Sequence, residues 1–198
     1  MSFLSELMKQ KQILKETETV VTCADGQRFV EKRDSDSYDR TACASNSYGF
    51  VVDTKPDDVP AQVIDHLFIG SQDCTSTNVL EKYEIKHILS LGISVEAKDV
   101  DCKFVQCLDL PETDIRPVLL ESLPFIHKAV KTRENILVHC NAGVSRTAMV
   151  AIGYLMQYAN MEFVEAYNLV KSKRPAVQPN TGFRKQLSSM KPGKVMLT

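Results

Sequence analysis

Ile136-Leu-Val-His-Cys-Asn-Ala-Gly-Val-Ser-Arg-Thr147 is an apolar run, Ile136 to Val138, feeding a short turn that opens onto a second apolar stretch, Met149 to Met156. A short apolar run, a turn and a longer apolar segment read as strand, loop and buried helix. Backbone N–H groups wound into a helix N-terminus make a ready anion site. Gly143 lets the turn curl where a Cβ would crowd the anion. Arg146 offers a planar fork that can hold two phosphate oxygens. Cys140 sits in that positive field, which favours its thiolate at neutral pH. A thiolate beneath a cradled phosphate is a nucleophile aimed at phosphorus. A buried cysteine beside a solvent-facing arginine would use the same two residues, but would leave His139, Gly143 and Thr147 to coincidence.

Outward from this stretch the chain alternates. Short apolar segments at Gln62–Ile64, Leu67–Ile69, Lys86–Leu91 and Phe104–Leu108 are predicted strands, the first two closing on the Asp65-His66 turn. Ser76-Thr77 is placed to cap a helix through Val79–Tyr83. Helical spacing covers Val118–Lys131, with a kink expected at Pro124, then 145–158, Met161–Lys173 and Thr181–Met190. Strands alternating with helices imply an α/β fold, a three-layer α-β-α sandwich with a mostly parallel central sheet. Ligands in such sheets bind at the carboxyl ends of the strands, so Cys140 and Asp109, each following a predicted strand, can face one crevice.

The pattern His139-Cys140, five residues, Arg146-Thr147 is similar to the signature of the cysteine-dependent protein tyrosine phosphatase superfamily, and Val138 to Arg146 resembles its dual-specificity branch. Leu67-Phe-Ile-Gly-Ser-Gln-Asp73 and Leu108-Asp-Leu-Pro-Glu-Thr113 extend the resemblance to the small atypical members, which lack a rhodanese-like kinase-binding domain. It implies a phosphatase acting on phosphotyrosine, phosphoserine and phosphothreonine through a phosphocysteine, with no metal or organic cofactor. Cys140 would attack, while Arg146 and the loop 141–146 (Asn141, Ala142, Gly143, Val144, Ser145, Arg146) hold the phosphate. The resemblance gives Thr147 a hydrogen bond to the cysteine sulfur, and gives Asn180 a supporting role beneath the loops. His139 would orient the loop and tune the thiol. Candidate partners are phosphoproteins, among them MAP kinases or the kinases upstream of them.

Cleaving a phosphate ester requires a proton for the leaving oxygen. Asp109, Glu112 and Asp114 stand on one loop before the Val118 helix. The resemblance favours Asp109, which lies about thirty positions before Cys140, and gives Asp114 a helix-capping role.

The remaining 1–49 are predicted as an extension. Apolar residues at 3, 4, 7, 8 and 14 approach helical spacing over 1–18. Thr19–Thr22 and Arg28–Glu31 flank Asp25-Gly26 as a plausible hairpin, and 32–49 reads as a polar linker. The catalytic domain is expected over 50–192, with a tail at 193–198.

A formal net charge of −1 gives no global field for nucleic acid, and no apolar run is long enough for a membrane span. Six cysteines (Cys23, Cys43, Cys74, Cys102, Cys107, Cys140) at irregular spacing suit reduced thiols in cytosol or nucleus, and four scattered histidines form no metal pattern. Three rival readings remain. One is a phosphoprotein-binding scaffold with weak turnover. Another is a phosphatase for RNA or lipid phosphates, which the uncharged loop positions 141, 142, 144 and 145 count against. The last is a redox sensor using Cys102 or Cys107 against Cys140.

Overall fold

The computed structural model describes residues 17–22, 28–33, 38–42 and 57–196. The chain divides into two compact units, Met1–Ser47 and Tyr48–Thr198. In the first, β1 (Thr17–Thr22), β2 (Arg28–Arg33) and β3 (Tyr38–Ala42) form an antiparallel sheet in that order. The expected strand pair is there, although Thr17 and Glu18, read as the end of a helix, open β1 instead. The apolar positions 3 to 14 and the Asp25-Gly26 turn lie outside the described residues. The polar linker expected over 32–49 is corrected at 38–42, which pairs with β2. The register sets Glu31 opposite Arg40 and Lys32 opposite Asp39. Paired positions of opposite formal charge suit a strand that hydropathy alone passes over.

The second unit is the α-β-α sandwich. Its sheet takes β4 (Ala61–Ile64), β5 (Leu67–Gly70), β6 (Ile85–Leu91), β7 (Asp101–Val105) and β8 (Asn135–His139) in the order β4-β5-β8-β6-β7. β4 runs antiparallel to β5 through the tight turn at His66, whose φ is 65°; the other neighbours are parallel. β8 is central because it is apolar on both faces: Ile136, Leu137 and Val138 are fully buried. Leu137 turns toward α1 (Thr77–Lys82), packing with Phe68, Leu80 and Ile88. Ile136 and Val138 turn toward the other layer, where α2 (Ile115–Thr132), α3 (Arg146–Tyr158), α4 (Phe163–Lys173) and α5 (Thr181–Ser189) supply most of the core. The two layers are unequal. α3 is buried from Arg146 through Met156, as a helix apolar around most of its circumference must be. No helix among the described residues is long and apolar enough to cross a membrane.

Two local expectations shift. Ser76 stands at the N-cap of α1 but makes no side-chain cap bond. β7 covers 101–105 rather than 104–108, because β6 stops at Leu91 and the Gly92 N–H closes the ladder on the Val105 carbonyl at 3.0 Å. Cys107 and Asp109 therefore lie on a coil that crosses the carboxyl edge of the sheet. Pro124 sits inside α2, which runs on through it. The core should respond as a packed one: Ile126→Ala, at a fully buried site on α2, is expected to lower the unfolding free energy by about 2–5 kcal/mol in urea titration.

Candidate active site

The turn between β8 and α3 is shaped from outside. The Asn141 carbonyl accepts from the Gln72 N–H at 2.9 Å, and the Val144 carbonyl accepts from the Gln178 N–H at 2.9 Å. Arg174 holds the two between them, its Nη2 donating to the Ala142 carbonyl at 3.2 Å and its Nε to the Gly143 carbonyl at 3.0 Å. Four consecutive carbonyls thus point away from the turn. In a trans peptide the C=O and the next N–H are antiparallel, so the N–H groups of Ala142, Gly143, Val144 and Ser145 turn to the inner side. They converge beside α3, whose N-terminus adds its dipole. Gly143 is required here, as the tightness of the turn implies, and a second constraint adds to it. At its φ of 64° a Cβ would overlap the Gly70 carbonyl at the end of β5.

Cys140 closes the floor, 2% exposed, one residue past β8. Arg146, the first residue of α3, is buried and braced: Nη1 donates to the carbonyls of Leu91 at 3.0 Å and Cys107 at 3.4 Å. Its Nε is buried without a hydrogen-bond partner, a donor that a phosphate oxygen would satisfy. Thr147 Oγ1 is likewise buried and unpartnered; the expected bond to the cysteine sulfur is not formed in this state. His139 is fully buried, its Nε2 2.7 Å from Ser90 Oγ across the β8–β6 pairing. Burial pushes its pKa down from 6.5 to about 4, helped by Arg146 and opposed by the Cys140 backbone. The imidazole is therefore neutral at physiological pH, and Nδ1 makes no well-formed bond.

Asp109 comes over the turn from the coil after β7. Its Oδ1 accepts from Ser145 Oγ at 2.6 Å and from Asn180 Nδ2 at 2.8 Å, while Oδ2 lies 3.9 Å from Arg146 Nε. Ser145, the N-cap of α3, makes no side-chain cap bond because its hydroxyl is engaged between Asp109 and the Asn180 N–H, the latter at 3.1 Å. The two other acidic candidates are elsewhere. Asp114 caps α2, accepting from the Arg116 N–H at 3.0 Å, and Glu112 is exposed. Of the possible redox thiols, Cys102 is exposed on the edge strand. Cys107 is buried, and burial pushes its pKa up to about 12. A thiol that stays protonated is a poor resolving partner.

One pair could not be read from the sequence. Arg174 meets Asp57 through two bonds, Nη1 to Oδ1 at 3.1 Å and Nη2 to Oδ2 at 2.9 Å. The Asp57 carbonyl also accepts from Ser71 Oγ at 2.8 Å. The paired charges lie 117 positions apart, beyond any local spacing rule. Only Arg174-Pro175, a helix end, marks one of them.

The His139 environment has a measurable consequence. A histidine held below its ordinary pKa adds protons mainly on unfolding, so its contribution is complete above about pH 6.5 and declines as pH falls toward 4. His139→Asn is expected to show a shallower loss of stability than the parent between pH 6.5 and 4, read as urea midpoints. Parallel curves would remove His139 as the source.

Comparison with known proteins places this geometry. Residues 67–192 match the family described as dual specificity phosphatase, catalytic domain. Dual specificity protein phosphatase 19 of Mus musculus is 38% identical over 150 residues, covering 74% of this chain and 68% of its own. MAP kinase phosphatase with leucine-rich repeats protein 3 of Dictyostelium discoideum is 36% identical over 134 residues, 65% of this chain but only 16% of that longer one. Among solved structures, a mouse dual specificity phosphatase complexed with zinc tungstate superposes with a TM-score of 0.61 at 31% identity, over 65% of this chain and 83% of that one.

Proposed function

This chain belongs to the dual specificity phosphatase family, and from that membership we propose that Cys140 is its nucleophile, Arg146 with the 141–146 loop its phosphate cradle, and Asp109 its proton donor. It is a protein phosphatase of dual specificity, removing phosphate from tyrosine and from serine or threonine. The observation that carries the residue assignment is the outward grip on four carbonyls, which turns the loop amides toward one point beside Cys140 and Arg146.

The steps follow from the atoms. The Cys140 sulfur attacks phosphorus in line, and the ester oxygen departs. The equatorial oxygens take up the inward amides and Arg146 Nε, donors preorganised for the transition state. Asp109 delivers its proton to the departing oxygen. Both fixed donors, Ser145 and Asn180, bond Oδ1, so Oδ2 is the oxygen that carries the proton. In the second half, Asp109 takes a proton from water as the water attacks the phosphocysteine, and sulfur leaves as thiolate. The buried Thr147 hydroxyl, unpartnered at rest, can donate to that sulfur as charge returns to it.

The substrate is a phosphoprotein, and a protein of a MAP kinase cascade fits best. A relative carries MAP kinase phosphatase in its name. The cradle positions Asn141, Ala142, Val144 and Ser145 also offer no lysine to the extra phosphates of inositol lipids. A thiolate nucleophile suits the reducing cytosol or nucleus.

Cys140→Ser is expected to lower turnover of a peptide phosphorylated on threonine and tyrosine by at least about 10³-fold while still binding it. Release by wild type from inositol phospholipid or 5′-triphosphate RNA, with none from the peptide, would overturn the substrate class. Asp109→Ala is expected to slow alkyl phosphates by about 10²–10⁴-fold and aryl phosphates with good leaving groups far less. Equal losses on both would move the acid role elsewhere.

A further inference from the structure

Beyond Asn180, two residues of α5 touch the loop that carries Asp109. That loop, 106–114, has no regular structure of its own. Gln186 grips its far end with both atoms of its amide: Oε1 accepts from the Ile115 N–H at 3.1 Å, and Nε2 donates to the Thr113 carbonyl at 2.8 Å. Gly182 takes the middle, where the Pro111 carbonyl lies so close that a Cβ would overlap it. Asn180, the N-cap of α5, takes Asp109 itself. The three contacts run in order, 180 to 109, 182 to 111 and 186 to 113 and 115. The loop is therefore laid along the first two turns of one helix. Phe183 and Leu187, on the same helix, are fully buried in the core, so the platform is rigid.

We propose that Gln186 is a positioning residue for proton transfer: its paired bonds to Thr113 and Ile115 hold the acid loop on α5 so that Asp109 stays over the phosphate cradle. The inference rests on the reading of Asp109 as the acid. A planar side-chain amide that pairs with both a backbone N–H and a backbone C=O acts like one more peptide in a ladder, and fixes the loop in two directions at once. Without it, Pro111 and Asp109 keep their contacts at 182 and 180, but the return of the loop into α2 is loose. An error on the scale of 1 Å in a proton donor is costly, on the order of 10²-fold. The bland alternative is that Gln186 only satisfies the first N–H of α2, which would affect stability and leave the chemistry alone.

Gln186→Met keeps the side-chain length and removes both hydrogen bonds. The test is kcat/KM, which reports transfer to Cys140 and not the later hydrolysis, together with KM, on a series of aryl phosphates from good to poor leaving groups, with Asp109→Ala measured alongside. The expected result is a loss of about 10- to 100-fold on the poorest leaving group, little change on the best, and an unchanged KM, since the cradle is untouched. The double variant should then be no slower than Asp109→Ala, because both changes act through the Asp109 carboxyl. Good turnover of the best leaving group also shows that the variant is folded. A uniform loss across the series, or a wild-type dependence beside a steep one for Asp109→Ala, would overturn the role of Gln186 and leave Asp109 as the acid. A flat dependence for Asp109→Ala would overturn the acid reading, and this inference with it.

Discussion

The site depends on one constraint: four carbonyls in a row are prevented from facing the substrate. A turn left to itself would scatter its peptide dipoles. Here Gln72, Arg174 and Gln178 each take one or two carbonyls from outside, and planarity of the peptide does the rest. The loop thereby presents its amides inward, with no charged side chain at 141, 142, 144 or 145. The positive potential there comes from backbone dipoles, from Arg146 and from the end of α3. That is why the side chains at 141, 142, 144 and 145 can be small or neutral.

Around this loop, burial decides which polar groups act. His139 lies directly before Cys140, the proposed nucleophile, and is kept neutral by burial, so it adds no second positive charge beneath the turn. Its ring ties β8 to Ser90 of β6 and keeps the strand that carries Cys140 in register. Ser145, which by its place would cap α3, binds Asp109 instead. A helix start left without a side-chain cap keeps its first N–H groups available to an acceptor from outside the helix. One hydroxyl thereby joins the start of α3 to the Asp109 loop and to Asn180.

Much of this was legible in the sequence. Cys140, Arg146 and Gly143 follow from one short stretch because a loop binding an anion must place them within a single turn. The strands and helices of the sandwich followed from period and punctuation. Three things did not. Residues 38–42 look like linker because they are polar, and the strand they pair with lies elsewhere in the sequence. The end of β7 is set by where β6 stops, which no property of residues 104–108 encodes. Asp57 and Arg174 meet across most of the chain. Gly143 was picked out from the tightness of the turn, but its contact with Gly70 was not, since a sequence shows that a turn is tight without showing what it presses against.

The Asp57 contact bears on how the enzyme can be cut. The sheet begins at Ala61, and the family match begins at Leu67. A fragment trimmed to Leu67 would lose β4, and even one trimmed to Ala61, which retains every strand and helix of the second unit, would lose Asp57. Either would leave Arg174 a buried cation with its carboxylate gone, while that same guanidinium still has to hold Ala142 and Gly143. The smallest working catalytic fragment is thus longer than the fold it contains, and its amino-terminal boundary is set by an ion pair rather than by the first strand.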